Sequence, residues 1–146
     1  VDFYTSVLGL LVSDRVPDII AFMRSPFGGD HHILGVAKSS HTGLHHVSFE
    51  VGDLDEIEIG AQALLAAGYK DGFGLGRHGP GSNYFHYIRD PWNSLVEYFW
   101  DIDVIPEGAE WTPSGGEPDE FAAVLTALWS HAPAPEEFIL NYEEPD

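Results

Sequence analysis

The sequence has 146 residues, 24 acidic against 6 basic side chains, a formal charge of −18, no cysteine and 8 histidines. Its length and 44% hydrophobic content suit one globular domain with a sizeable core, while its acidity argues against nucleic acid and anionic membranes as partners. Without cysteine there is no disulfide, thiolate metal site or thiol nucleophile, so any metal must be held by nitrogen and oxygen. A cytoplasmic location is expected.

Residues 1–8 read as the end of a helix: Phe3, Tyr4, Val7 and Leu8 share a face, and Gly9 stands where a left-handed cap belongs. Residues 10–15 and 18–24 read as strands across a turn at Pro17, and 31–38 as a third strand after the turn cluster at Gly28 and Gly29. A second unit follows. Residues 44–51 read as a strand, and Asp53 with Glu56 makes a capping-box pattern for the next helix. That helix has Ile57, Ala61, Leu64 and Leu65 as its apolar stripe and ends at Gly68. Residues 69–75, 83–89 and 95–100 are the remaining strands, the last two joined by the tight turn Asp90-Pro91-Trp92-Asn93.

Set side by side, the first unit is helix, strand, strand, strand and the second is strand, helix, strand, strand, strand. The first unit lacks an opening strand and its helix has no start signal, so a truncated sequence is expected. The fold class is therefore α+β, with paired βαβββ modules at 1–38 (incomplete) and 44–101 forming one domain over 1–101. Residues 102–146 form an acidic extension without Lys or Arg. In it, Glu117-Pro118-Asp119-Glu120 opens one helix at about 117–130, expected to pack on the sheet or on a neighbouring subunit.

Side chains alternate between the faces of a strand. His46, Ser48 and Glu50 then share one face, Leu95, Glu97 and Phe99 another, and Asn83, Phe85, Tyr87 and Arg89 a third. A carboxylate set between Leu95 and Phe99 is costly to bury unless it is paired or metal-bound. Taken singly, Glu97 could be solvated at a sheet edge and His46 could be a hydrogen-bonded core histidine. Taken together, they lie on the first and last strands of one module, where a folded sheet can bring them to one point. Non-haem Fe(II) sites with open positions use two His and one carboxylate on one face of the metal. His46 and Glu97 supply two of these donors, and the second His is expected from the equivalent first strand of module one.

The segments Phe3-Tyr4, Val7-Leu8-Gly9-Leu10, His31-His32, Leu44-His45-His46-Val47-Ser48-Phe49, Gly76-Arg77-His78, and Tyr87 through Asp90-Pro91 to Glu97 together resemble the catalytic domain of type I extradiol catechol dioxygenases. These belong to the vicinal oxygen chelate group, and the resemblance covers about residues 1–101. It implies an open curved sheet around a metal site, with His46 and Glu97 as metal ligands. It further implies His31 as an acid/base histidine (a one-residue shift would put His32 in that place), and His78 and Tyr87 as hydrogen-bond partners of the bound substrate. The implied cofactor is Fe(II), with Mn(II) as the alternative, O2 is the co-substrate, and the partner is a small aromatic diol; a homo-oligomer is expected. His41, His45, His86 and His131 have no matching role and are read as structural. Trp92-Asn93 departs from the family pattern, which commonly has a small residue and glycine after Asp-Pro. Two other readings keep the same fold: a metalloenzyme of glyoxalase or fosfomycin-resistance type, and a metal-free binding module like the bleomycin-sequestering relatives.

Overall fold

A computed structural model describes residues 1–39, 42–113 and 127–139 of the chain. It opens with α1 (Asp2–Ser6), then β1 (Leu11–Val16), β2 (Ile20–Arg24), β3 (Gly29–Asp30) and β4 (Leu34–Ala37). The helix ends as its sequence suggests: Gly9 takes a φ of 75°, and the Leu10 amide donates to the Tyr4 carbonyl. β1, β2 and β4 form a three-stranded antiparallel sheet in that order.

The second module is complete: β5 (His46–Glu50), α2 (Leu54–Ala66), β6 (Asp71–Arg77), β7 (Tyr84–Arg89) and β8 (Leu95–Trp100). Asp53 accepts from the Glu56 amide and Glu56 reaches back to the Gly52 amide, so the capping box forms as expected. β6, β7 and β8 run antiparallel, and β5 lies parallel to β8 at the far edge, the arrangement a helical crossover permits. Ile57 and Ala61 bury the inner side of α2. On the sheet face beneath it, His86 is held between Glu58 of α2 and Asp71 of β6, at 3.0 and 3.1 Å.

The two modules are tied together by the segment after Trp100. β9 (Val104–Ile105) pairs with β3, Ile105 is buried, and the Asp103 backbone links the His31 amide to the Gly81 carbonyl. Most of the helix expected at about 117–130 lies outside the described residues. Its final residues are extended instead: β10 (Trp129–Ser130) pairs with Arg77 and Gly76, giving the outer edge of β6 a partner for its backbone groups. A last short helix, α3 (Glu136–Ile139), places Phe138 against Phe73 and Tyr87 in a cluster that also holds Phe85 and Leu95. Among the described residues no helix is long and apolar enough to cross a membrane.

Candidate metal centre

Register builds the site. Across three neighbouring strands, Tyr87 of β7 lies opposite Glu97 of β8, and Glu97 opposite Ser48 of β5, so the three side chains form one row. His46 sits two residues before Ser48 on the same face, opposite Leu95. The face assignments made from alternation therefore hold for His46, Glu97 and Tyr87.

Glu97 is the centre of this cluster and is 4% exposed. Its Oε2 accepts a hydrogen bond from the Ser48 hydroxyl and lies 3.5 Å from His46 Nε2. Its Oε1 lies 3.4 Å from His78 Nε2 and accepts from Asn83 Nδ2 at 3.4 Å. The Tyr87 hydroxyl is 3.0 Å from His78 Nε2. Burial alone would raise the Glu97 carboxyl, but hydrogen bonding and charge from His78, then His46 and Ser48, offset it and hold the group down at about 2. Burial lowers the His46 imidazole to about 4, against the pull of Glu97. At neutral pH the pair is thus an ionised carboxylate beside a neutral imidazole, the forms in which both bind a metal. Tyr87 is pushed well above 10 by burial and by the Glu97 charge, so it keeps its proton.

Aromatic rings wall the cluster. Phe85 stacks on His78 with centroids 3.8 Å apart, and His46 meets Tyr87 edge-on at 5.1 Å. His45 bridges His46 and α3: its Nδ1 is 2.6 Å from His46 Nδ1 and its Nε2 is 2.7 Å from the Phe138 carbonyl oxygen, so it anchors the extension. His41 lies outside the described residues.

His31 and His32 do not continue into β4, which begins at Leu34; they lie on a bend between β3 and β4. His31 is fully buried, with one ring nitrogen on Asp14 and the other on His32, so both nitrogens are engaged. His32 faces the cluster electrostatically: Glu97, His78 and His46 all act on its imidazole, while burial and then His31 lower it to about 4. It packs on Phe22 at 4.7 Å and lies beneath Gly81, in the loop that follows His78.

The donor set, one neutral imidazole and one buried carboxylate, fits part of a site for a divalent ion of borderline hardness, and His78 lies beside the same carboxylate. The Asn83 Oδ1 atom beside Glu97 is buried without a hydrogen-bond partner, as expected where a bound group completes the site. Among the described residues no group of three His, Cys, Asp or Glu side chains is placed to hold a metal by itself. Ser48, Asn83 and Asp14 had no role assigned from sequence. Strand alternation already put Ser48 beside His46 and Asn83 beside Tyr87, whereas Asp14 carried no signal.

Residues 1–98 match the family model described as Glyoxalase/Bleomycin resistance protein/Dioxygenase superfamily. The chain is 48% identical over 143 residues to metapyrocatechase 2 of Cupriavidus necator, which covers 97% of this chain but 43% of that protein. It therefore spans less than half the length of that relative. Among solved structures it is similar to a Mn(II)-bound glyoxalase from Novosphingobium aromaticivorans, with a TM-score of 0.78, 25% identity, and 99% of this chain and 45% of that one covered. It shares its fold with 2,2′,3-trihydroxybiphenyl 1,2-dioxygenase from a dibenzofuran-degrading strain of Sphingomonas wittichii, with a TM-score of 0.70, 24% identity, and coverage of 90% and 45%.

Proposed function

Because the chain belongs to the glyoxalase/bleomycin resistance protein/dioxygenase superfamily, we propose that it forms the catalytic part of an extradiol dioxygenase, which cleaves a catechol-type ring beside its diol. The observation that carries this reading is the convergence of His46, His78, Tyr87 and Ser48 on a single buried carboxylate group, that of Glu97. The likeness to metapyrocatechase 2 supports it across nearly the whole chain.

In this proposal His46 and Glu97 hold Fe(II), rather than Mn(II), and a second imidazole comes from outside the described residues. When bound, the ion supplies Lewis-acid activation of the diol and electron transfer between the diol and O2. The chain's own residues do the rest. His32, neutral and next to the cluster, accepts a proton from the diol and later returns it; this role passes to it from His31, whose nitrogens are occupied. Tyr87, which keeps its proton, and His78 offer hydrogen bonds to oxygen atoms on which negative charge develops. Phe85 and Phe22 exclude water beside the imidazoles. The substrate is a small aromatic diol, and the enzyme works as a homo-oligomer.

The likeness to a Mn(II)-bound glyoxalase favours one other reading, glyoxalase-type metal chemistry on the same residues. The two separate on product. Full-length protein loaded with Fe(II) under anaerobic conditions, then given air and a panel of catechols, is expected to consume O2 and form a yellow ring-fission product. Iron binding without O2 uptake for every diol tested, together with turnover of a thiol–aldehyde adduct, would reverse the assignment.

A further inference from the structure

Behind His32 lies a chain of buried groups that ring cleavage as described above does not use. β1 carries a bulge between Val12 and Asp14, and it turns two successive residues, Ser13 and Asp14, inward; both are fully buried. Both act on His31. The Ser13 hydroxyl donates to the His31 carbonyl, and Asp14 Oδ2 lies 2.9 Å from His31 Nε2. His31 Nδ1 in turn lies 2.9 Å from His32 Nδ1. The Asp103 carbonyl accepts from the His31 amide at 2.7 Å, and Trp111 covers the His31 ring at 5.1 Å.

Two proton arrangements satisfy these contacts, one with a neutral and one with a doubly protonated His31, and the neutral one leaves His32 able to act as a base. A carboxylate oxygen only accepts, so His31 carries its proton on Nε2. In the arrangement with a single N–H on His31, its Nδ1 accepts, and the 2.9 Å contact is made by a proton on His32 Nδ1. His32 Nε2 is left as the basic nitrogen.

Resting on the dioxygenase reading for its use, we propose that Asp14 and His31 are positioning residues that fix the tautomer of His32 and accept the charge it gains. When His32 Nε2 takes a proton from the diol, the Nδ1 proton of His32 can move to His31 Nδ1. The positive charge then rests on His31, beside the buried Asp14 carboxylate. No proton is lost, and His32 returns one from Nε2 as the chain reverses. The logic is that of a carboxylate orienting a catalytic histidine, with one more imidazole between them.

The test has two parts. Nitrogen-15 imidazole spectra of the metal-free protein at neutral pH are expected to show His31 protonated at Nε2 and His32 at Nδ1. His32 protonated at Nε2 would overturn the proposal, whatever the enzyme does. In the iron-loaded full-length protein, Asp14→Asn is expected to lower kcat by about 10²–10⁴-fold, with iron content and the KM for catechol within about threefold of wild type. Unchanged kcat would overturn the relay, and so would a loss confined to iron content. If wild-type protein cleaves no diol, the ring-cleavage reading and the use of the relay fail together, while the spectra still decide whether the tautomer is fixed.

Discussion

Burial keeps His32 and His46 neutral, while His78, His46 and Ser48 outweigh burial to keep Glu97 ionised, and both effects make stability depend on pH. Burial, then His31, takes His32 from 6.5 to about 4. Between those values the unfolded chain binds a proton that the folded chain refuses, so the unfolded state gains as pH falls. Stability is therefore full above about pH 6.5 and declines towards pH 4, by about 3 kcal/mol for His32 alone. His46 acts with the same sign over the same window. Glu97, depressed to about 2, continues the loss as pH falls below its ordinary value of 4.5. Urea unfolding of the metal-free protein at pH 7.5 and 4.5 is expected to show a clear drop, reduced in His32→Gln. Equal midpoints at both pH values would contradict the burial of these imidazoles. At this scale alternation made His46, Glu97 and Tyr87 legible from sequence, because each sits inside a regular strand. It could not separate His31 from His32, since the chain bends at that point and two-residue periodicity does not apply.

Among the elements, β6 shows how closely the strands are fitted. Its glycines are close-approach positions: a Cβ on Gly76 would lie 2.6 Å from Phe85 Cζ and 2.8 Å from the Trp129 carbonyl oxygen. Phe85 is fully buried, and the Trp129 oxygen belongs to a strand paired with β6, so neither neighbour can yield freely. Gly76→Ala is expected to destabilise the protein by about 1–3 kcal/mol, seen as a lower Tm, with the amides of β10 losing hydrogen-exchange protection. A variant as stable as wild type would show that β10 does not pack there. The second module was readable element by element because a capping box, an apolar helical stripe and turn residues all agreed. β10 was not, since a two-residue strand has no periodicity and exists only because β6 offers an edge.

For the molecule as a whole, the acidic extension proves to be part of the site's surroundings rather than an appendage alone. Phe138 is 8% exposed and packs 4.7 Å from Tyr87, 4.9 Å from Phe73 and 5.0 Å from His45. The His45 contact to the Phe138 carbonyl joins β5 to α3. Such pairings between distant segments leave no trace in local patterning, so the sequence pointed to a helix at about 117–130 and not to Phe138, the residue that reaches the core. Phe138→Ala is expected to cost about 3 kcal/mol in chemical denaturation; a change below about 0.5 kcal/mol would mean that α3 contributes no core packing.

In the proposed function Glu97, with His46, holds the metal. That proposed role is tested most directly by anaerobic titration of Fe(II) into metal-free full-length protein and its Glu97→Gln variant, followed by calorimetry. Wild type is expected to bind iron stoichiometrically and the variant at least about 100-fold more weakly. Equal affinity in both proteins would show that the buried carboxylate holds the strands together and no metal.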